Sequence, residues 1–482
     1  MTGKCATLPS HVDRHPDRLD RTRGTARPGI TRRALLAVAS GFTASVSTAC
    51  RSTGADSAQS SKSSARGTSG AVSVELLAGF TPPQLSTLQE LLVEPFQRAH
   101  PNLRLLTIDH PPAQTDQKLL TLVSAGTPPD VVYAAPPSLY RAKLTQDVTE
   151  RVKRDRYDVN GFAKEGFEPA AMWKGRIVGL PYYIGGHSSV LVYNKELFRT
   201  AGLREPPLRW GAPGWDAQTW LDALRRTTTR DSAGAVRTYG VNVTLMTFYA
   251  YYLSTLWKGA WLSDDLRTVT CDSPPMIEAF DYFAALCTQY RAAATGEQLK
   301  EAFGDASAEK AFLNGQLAMY ATPGAQNIAA IPPAVRSRDL PLAYAPLPAF
   351  KTFGAPHYFL ANGLVAGAKQ PDAGWTYMKW AADTPNWSVS RGQPPARSSL
   401  FDAWASSVYA GIEDRIRLDV LRESVRHPVK LDPLFHVPAQ QRGTMTDLIQ
   451  AGLERMWAGA PPAGVLRELK TQLQPLASAA VN

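Results

Sequence analysis

The sequence predicts an α/β protein built as two lobes, and three observations support this fold class. Strand-like runs alternate with amphipathic helical segments from residue 72 onwards, which is typical of parallel strands joined by crossover helices. The chain has 482 residues, more than one ordinary hydrophobic core accommodates. Stretches marked by Gly and Pro separate the alternating blocks at three places, where the chain can pass from one lobe to the other.

The first of these candidate crossings, residues 179–186, leads from a loop into a β-rich run. Pro181 fixes φ and removes a backbone donor, and the Gly185-Gly186 pair leaves the backbone free to turn. The other two candidate crossings are residues 344–348 and 391–397. Locally, each pattern also fits an ordinary junction between a loop and a strand within one domain.

The predicted elements follow the chain in two blocks. In the first block we expect strands at 72–77, 103–108 and 130–134 with helices at 85–100 and 114–124. Later elements are a helix from Trp215, a strand at 239–243, one helix marked by Phe303, Ala308, Phe312 and Leu313, strands at 316–320 and 359–366, and a helix at 371–382.

The charge of the chain is concentrated at its start. The formal net charge is +10, but residues 1–49 hold eight Lys/Arg and three Asp/Glu, which leaves 44 basic and 39 acidic residues in the remainder. The remainder has no basic block with interleaved aromatic residues, so the sequence argues against a nucleic-acid partner. A hydrophobic fraction of 44% and a charged fraction of 20% suit a soluble globular body.

Residues 1–49 are predicted to be an export signal. The run Thr-Arg-Arg-Ala-Leu-Leu at 31–36 is similar to a twin-arginine motif, and residues 34–49 form a short apolar segment without charge. Ser47-Thr48-Ala49-Cys50 resembles a bacterial lipobox, in which Cys50 would be acylated, although Ser47 stands where Leu is usual. A chance Arg-Arg pair before an Ala-rich helix, and soluble export after cleavage, are the alternatives.

A flexible tether is predicted at residues 50–70, where Ser, Gly and Ala dominate without an apolar period. Such a chain reaches roughly 25 Å. Two cysteines remain in the body, Cys271 and Cys287. Ser273-Pro274-Pro275 predicts the start of a helix that carries Cys287 about 18 Å away along its axis. We therefore expect two buried thiols and no disulfide between them.

Ligands of parallel α/β sheets bind beyond the carboxyl ends of the strands. This rule selects Phe80, which follows the first strand, and Tyr133 at the end of the third. A second group of aromatic side chains is concentrated between residues 248 and 261, including Tyr249 and Trp257. Packing in the core is the alternative reading for each of these side chains.

Several segments, in order, resemble the extracellular solute-binding proteins, family 1, of ABC importers, the group that includes maltose-binding protein. The matching stretches are residues 117–132, 179–195, 312–319 and 392–397. The resemblance implies a type II periplasmic-binding-protein-like fold with three crossing strands and a ligand cleft between the lobes. It divides the chain into lobe 1 (71–185 and 347–392) and lobe 2 (186–346 and 393–482).

The resemblance also implies a carbohydrate or related polyol as the ligand and an ABC permease with a cytoplasmic ATPase as the partner. The lipobox-like run and the tether predict a monomer anchored by lipid on the outer face of the cytoplasmic membrane. His187 falls where the family has a polar residue facing the cleft, and Tyr183 lies in the same crossing. Members often carry Trp near Gln326, so this departure suggests a different ligand. Arg397 could bind a ligand oxygen, or lie on the surface.

The runner-up function is a secreted lipoprotein enzyme, such as a glycoside hydrolase acting through two carboxylates. Residues 186–190, Gly-His-Ser-Ser-Val, resemble the nucleophile-elbow motif Gly-x-Ser-x-Gly of hydrolases, but Val190 stands in place of the second Gly. The body has neither a zinc-protease motif nor a phosphate-binding loop, so we expect no enzyme activity, metal or cofactor.

Overall fold

The computed structural model describes residues 70–79, 88–110, 114–185, 190–242, 254–305, 307–321, 325–430 and 432–481. The predicted export signal and Cys50 lie outside these residues. Every structural statement below concerns the described residues.

The strands in chain order are β1 (Val72–Leu77), β2 (Leu103–Ile108), β3 (Val131–Val132), β4 (Met172–Trp173), β5 (Arg176–Ile177), β6 (Leu180–Gly185), β7 (Leu191–Asn194), β8 (Thr229–Arg230), β9 (Val236–Asn242), β10 (Ala293–Ala294), β11 (Leu317–Ala321), β12 (Leu342–Ala345), β13 (Ala355–Pro356), β14 (Tyr358–Leu364) and β15 (Pro428–Val429).

The helices are α1 (Glu94–Ala99), α2 (Thr115–Ser124), α3 (Pro137–Arg141), α4 (Thr149–Arg154), α5 (Lys164–Ala171), α6 (Lys195–Thr200), α7 (Ala217–Thr227), α8 (Pro274–Thr288), α9 (Gly296–Phe303), α10 (Ala308–Leu313), α11 (Ala325–Arg338), α12 (Pro371–Ala382), α13 (Asn386–Arg391), α14 (Phe401–Val408), α15 (Glu413–Ile416), α16 (Leu418–Ser424), α17 (Ala439–Trp457) and α18 (Pro462–Val481). A π-helical turn (Gln89–Val93) precedes α1, and short 3-10 helices (Ser398–Leu400 and Pro433–His436) precede α14 and α17.

Lobe 1 is built on a five-stranded sheet in the order β2-β1-β3-β14-β6. Strands β2, β1 and β3 are parallel, whereas β14 runs antiparallel to β3 and β6. Both faces of the sheet are covered, so Leu76 and Leu77 on opposite faces of β1 are fully buried. Helix α5 packs so closely on β14 that a Cβ on Gly166 would lie 2.4 Å from the Phe359 ring.

Lobe 2 is built on a second sheet in the order β10-β9-β11-β7-β12, with β8 paired to β9. Strands β10, β9 and β11 are parallel, and β7 runs antiparallel to β11 and β12. Helix α7 begins with a capping box in which Asp216 and Thr219 satisfy each other's backbone N–H groups. The two sheets confirm the predicted α/β fold with two lobes.

Three segments join the lobes. Strand β6 of the first sheet leads to β7 of the second, and β12 of the second sheet leads back to β14 of the first. The third segment follows α13 and pairs with β6, because the Ile184 N–H donates to the Pro394 carbonyl oxygen at 2.8 Å. Tyr183 and Pro395 form an isolated antiparallel bridge beside it.

The chain ends in an antiparallel pair of helices, α17 and α18, which we call the C-terminal hairpin. The hairpin packs on α8 in a hydrophobic cluster of its own, which includes Trp261, Phe280, Leu453 and Leu466. None of the described helices is both long enough and apolar enough to cross a lipid bilayer.

Both body cysteines are free and buried, which confirms the prediction made from the length of α8. Burial raises the pKa of each thiol to about 12. The Cys271 thiol donates to the Leu466 carbonyl oxygen at 3.3 Å, so it lies against the C-terminal hairpin.

Two of the differences between the predicted and the observed elements have a clear physical cause. The helix expected across 303–313 is two helices, α9 and α10, because Gly304 ends α9 in the left-handed conformation (φ 80°) and Ser307 caps α10. The third strand is only two residues long, since Ala134 adopts a φ of 53° and turns the chain after Tyr133.

Candidate ligand-binding site

The carboxyl ends of β1 and β3 and the amino end of β14 lie at the same end of the lobe 1 sheet. Ligands of parallel sheets bind beyond the carboxyl ends of the strands. Tyr133 directly follows β3 at this end of the sheet. Three predicted site residues, Phe80, His187 and Tyr249, lie outside the described residues. Gln326 lies in the first turn of α11, shortly after β11 of the lobe 2 sheet.

Tyr133 and Tyr183, predicted separately from the sequence, meet in the structure. Their hydroxyl oxygens are 3.0 Å apart and share a hydrogen bond. Both rings lie near-parallel to the indole of Trp387, at centroid distances of 5.4 Å for Tyr133 and 6.4 Å for Tyr183. Trp387 is fully buried and comes from α13, so the two phenols pack on a ring that is fixed in the hydrophobic core. We call Tyr133 and Tyr183 the tyrosine pair.

Arg391, at the end of α13, brings a positive charge to this group. Its guanidinium carbon lies 5.7 Å from the centre of the Tyr133 ring, and its side chain hydrogen-bonds Tyr133. Burial alone would lower the pKa of Arg391, but interactions with Tyr133, Tyr183 and Tyr182 raise it overall. The guanidinium can only donate, so the Tyr133 oxygen accepts from it. The Tyr133 phenolic proton is then directed away from Arg391.

Strands β6 and β14 also carry fully buried polar side chains, Tyr182 and Asn362. Tyr182 packs edge-to-face on Tyr183 with centroids 4.9 Å apart, and burial raises its pKa well above the usual value. The Tyr182 hydroxyl and both amide atoms of Asn362 have no hydrogen-bond partner among the described residues. Lobe 1 therefore buries polar groups of its own in the two strands β6 and β14 that lie next to the tyrosine pair.

Trp257 belongs to the aromatic core of lobe 2 in this structure. It is 4% exposed and stacks on Phe350 with ring centroids 3.9 Å apart. Tyr282 and Phe283 complete the cluster at centroid distances of 5.5 and 5.1 Å. The aromatic-rich segment thus contributes Trp257 to packing here, and a ligand contact by this side chain stays a prediction.

Arg397 fastens the third connecting segment to lobe 1. Its guanidinium donates to the Tyr157 hydroxyl at 2.8 Å and to the Asp158 carbonyl oxygen at 3.0 Å, and Nε lies 2.9 Å from Asp383 Oδ1. It also lies 4.3 Å from the centre of the Phe162 ring. With its side chain only 11% exposed, Arg397 is engaged by the protein in this conformation.

Sequence reasoning did not select Trp387, Arg391 or Tyr182, which adjoin Tyr133 in the structure. Arg391 stands beside Gly392, which ends α13 in the left-handed conformation, and this helix end was predicted only as a crossing. Within the described ranges, no group of three or more His, Cys, Asp or Glu side chains is arranged to hold a metal ion. The described polar groups are hydroxyl, amide and guanidinium groups, which recognise a ligand through hydrogen bonds.

Two α/β lobes joined by three segments, with polar aromatic side chains at the strand ends beside those segments, define a two-lobed solute-binding protein. The chain belongs to the family of bacterial extracellular solute-binding proteins, because the sequence model of that family matches residues 81–386. No curated protein matches the chain.

Solved structures share the fold at low sequence identity. The ABC substrate-binding protein Lmo0181 from Listeria monocytogenes, in complex with cycloalternan, is 17% identical with a TM-score of 0.67, covering 84% of this chain and 98% of its own. The sugar-binding protein MalE from Xanthomonas citri is 17% identical with a TM-score of 0.67, covering 85% and 98%. An ABC transporter solute-binding protein from Thermotoga lettingae, bound with α-D-tagatose, is 18% identical with a TM-score of 0.63, covering 84% and 100%.

Proposed function

We propose that this protein captures a sugar or related polyol between its lobes and delivers it to the permease of an ABC importer. The observation that carries this proposal is the tyrosine pair, which presents two hydroxyl groups at the strand ends beside the first connecting segment. The similar folds of proteins solved with cycloalternan and α-D-tagatose support a carbohydrate as the ligand class.

The tyrosine pair is suited to an uncharged, hydroxyl-rich ligand. Arg391 donates to the Tyr133 oxygen, and the Tyr133 and Tyr183 hydroxyls share a hydrogen bond in which either can be the donor. Because a phenolic hydroxyl both donates and accepts, the pair is suited to the hydroxyl groups of such a ligand. Because Trp387 already stacks against one face of each phenol, we propose that the phenols act through their hydroxyls more than through their ring faces.

The remaining predicted residues complete the proposed site. Phe80 and Tyr133 would form the lobe 1 side, Tyr249 and Gln326 the lobe 2 side, and Tyr183 and His187 the floor. A ligand that touches both lobes stabilises the closed arrangement, since only that arrangement makes all the contacts. Trp257 and Arg397 would support these groups from the aromatic core and from the third connecting segment.

The cellular arrangement is likewise proposed from the sequence. Residues 1–49 would direct export, Cys50 would carry the lipid, and residues 51–70 would tether a monomer to the outer face of the cytoplasmic membrane. The partner would be a permease driven by a cytoplasmic ATPase. Replacing Cys50 by Ala should release the protein from membranes, and unchanged retention would rule the anchor out.

A thermal-shift screen of the full chain tests the binding function. The panel is maltose, maltotriose, mannotriose, tagatose, sorbitol and glycerol 3-phosphate. A ligand that binds only the folded state raises its stability, by about 2.7 kcal/mol at one hundred times Kd. At least one carbohydrate should raise the Tm of the wild-type protein, and a smaller shift in Tyr183→Phe would place the ligand at the tyrosine pair.

A matched control and a product assay make the screen decisive. Arg417→Gln removes a comparable hydrogen bond, from Arg417 to the Tyr193 hydroxyl at 2.6 Å in lobe 2, and should preserve the ligand-induced shift. Chromatography of the maltotriose and mannotriose samples should recover both sugars unchanged. Cleavage would favour the glycoside hydrolase instead, and a shift by none of the six compounds would refute the proposed ligand class.

A further inference from the structure

Arg141, the last residue of α3 in lobe 1, contacts both ends of the C-terminal hairpin region. Its guanidinium donates to the Ala480 carbonyl oxygen at 2.6 Å and to the His436 carbonyl oxygen at 3.2 Å. These acceptors are 339 and 295 residues away in the sequence. The guanidinium carbon also lies 4.9 Å from the centre of the Trp173 ring, which holds it in place from the lobe 1 side.

The two carbonyl groups belong to the ends of helices. Ala480 lies in the last turn of α18, and His436 is the last residue of the 3-10 helix that precedes α17. Carbonyl groups at these positions lack partners within their own helix and carry the negative end of the helix dipole. A guanidinium from another part of the fold is therefore a favourable cap for both of them.

This contact joins the two lobes, because the C-terminal hairpin is fixed to lobe 2. Helices α17 and α18 pack on α8, and their cluster includes Trp261, Met276 and Phe280 from the lobe 2 segment. Helix α3 instead packs against the lobe 1 sheet, where Leu139 shares a cluster with Leu77 and Val132. Arg141 consequently contacts its two carbonyl partners across the boundary between the lobes.

The position of the Arg141 contact relative to the connecting segments determines whether it breaks when the lobes open. Helices α2 and α3 follow the carboxyl ends of β2 and β3, and β2 lies at the sheet edge opposite β6, where the connecting segments attach. Asp116 at the start of α2 faces the same region. Burial raises its pKa, while the charge of Arg442 in α17 opposes that rise. Arg141 and Asp116 thus meet the hairpin from helices that follow β3 and β2, and not from β6, where the connecting segments attach. Such contacts separate when the lobes swing apart about those segments.

We propose that Arg141 is a strap that holds the lobes closed and thereby sets ligand affinity without touching the ligand. Opening breaks both of its hydrogen bonds, so the strap shifts the lobe equilibrium towards the closed state. A ligand that binds the closed state then gains apparent affinity in proportion to the closed population. This inference rests on the proposed two-lobed capture function, but it does not depend on which solute is bound.

The test measures the distance between the lobes without ligand. Spin labels are placed at Leu120→Cys in α2 and Glu297→Cys in α9, two exposed positions that follow the outermost strands of the two sheets. The full chain carries Cys5→Ser and Cys50→Ser, and the buried Cys271 and Cys287 are kept. In Arg141→Gln, pulsed electron paramagnetic resonance should show longer distances, with the ratio of closed to open molecules reduced about tenfold, equivalent to about 1.4 kcal/mol.

Three further variants separate a strap from a merely structural contact. Arg141→Lys keeps the charge but not the two-pronged geometry, so it should be intermediate. Ending the chain after Leu476 removes the Ala480 acceptor and leaves the new terminal carboxylate about 6 Å back along the helix. This variant should reproduce the shift even if Arg141→Gln folds poorly. Arg336→Gln is the matched control, because Arg336 donates to Val408 and Ala410 carbonyl oxygens within lobe 2 and should leave the distances unchanged.

The outcomes are distinct from those of the ligand screen. Unchanged distances in both Arg141→Gln and the shortened chain would overturn the strap, even if a carbohydrate binds. An equal change in Arg336→Gln would also overturn it, since the effect would then be general destabilisation. If no compound of the panel binds but the distances lengthen as expected, the strap stands and the proposed ligand class fails.

Discussion

The hydroxyl oxygens of Tyr133 and Tyr183 lie 3.0 Å apart, although the two residues are separated by 50 positions in the chain. Tyr133 directly follows the central strand β3, and Tyr183 lies in β6, which enters lobe 2. Strand β14 lies between β3 and β6 in the sheet, so the two phenols reach each other across its end. The pair therefore depends on the return of the chain from lobe 2 to lobe 1.

Removing one hydroxyl of this pair should weaken sugar binding more than it weakens folding. In Tyr183→Phe the ligand loses one hydrogen bond, worth about 0.5–1.5 kcal/mol, or roughly a two- to tenfold increase in Kd. Isothermal titration with the best carbohydrate of the panel measures Kd, and urea unfolding measures stability. An unchanged Kd in both Tyr183→Phe and Tyr133→Phe would exclude the pair from the binding site.

Arg391 should act through the Tyr133 hydroxyl, and a double-mutant cycle tests this. If Arg391→Gln weakens binding because Tyr133 loses its donor, the same change in a Tyr133→Phe background should cost much less. Coupling between contacting residues is commonly about 0.5–3 kcal/mol. The cycle of Arg417→Gln and Tyr193→Phe, a similar Arg–Tyr hydrogen bond in lobe 2, should change stability but not Kd. Additive effects on Kd at Arg391 and Tyr133 would contradict the arrangement.

Much of the fold follows from sequence periodicity, as particular elements show. Strands β1 and β2 and helix α12 have the predicted bounds, because each shows a clear apolar pattern between turn residues. The break between α9 and α10 was missed because the apolar spacing continues across Gly304, whereas the glycine adopts a positive φ and ends the first helix.

Less of the candidate site could be predicted from the sequence, because its contacts are made by residues far apart in the chain. The strand-end rule selected Tyr133 and the crossing selected Tyr183, each by itself. Their contact requires the order β3-β14-β6, which only the paired strands reveal. Trp387 and Arg391 lie on a six-residue helix, too short for an apolar period to indicate which side chains face the site.

Acidification should destabilise the protein through buried histidines. His357 is 1% exposed, and burial lowers its pKa to about 4, although a hydrogen bond with the Ser424 carbonyl oxygen opposes the shift. Unfolding lets His357 take up a proton below pH 6.5 or so, whereas the folded state resists protonation until about pH 4. Burial of neutral His357 therefore costs no stability above about pH 6.5, and the free energy of unfolding decreases as the pH falls from there towards 4.

Urea unfolding at a series of pH values measures this effect. The shift of His357 corresponds to about 3 kcal/mol lost between the two pKa values, and His436, whose pKa burial also lowers to about 4, adds to the loss. His357→Gln should reduce the slope of unfolding free energy against pH in this range, and His357→Gln with His436→Gln should reduce it further. A slope unaltered in the double variant would mean that other groups cause the acid sensitivity.

Two glycines in helices should respond in opposite directions to the same substitution. A Cβ on Gly166 in α5 would lie 2.4 Å from the Phe359 ring, so Gly166→Ala forces α5 and β14 apart. Overpacking of this kind costs about 1–3 kcal/mol. Gly443 in α17 has no atom within 4 Å of its added Cβ, so Gly443→Ala should stabilise by about 0.5–1 kcal/mol through the lower entropy of the unfolded chain.

Urea unfolding of the two variants compares these effects in one background. Gly166 lies in α5 of lobe 1, and Phe359 lies in β14, whose amino end is beside the tyrosine pair. Displacement of β14 should therefore also disturb the contact between Tyr133 and Tyr183. We therefore expect Gly166→Ala to raise the Kd for the carbohydrate as well as to lower stability, while Gly443→Ala leaves Kd unchanged. A Gly166→Ala protein with native stability and native Kd would show that α5 and β14 are less tightly packed in solution than in the structure.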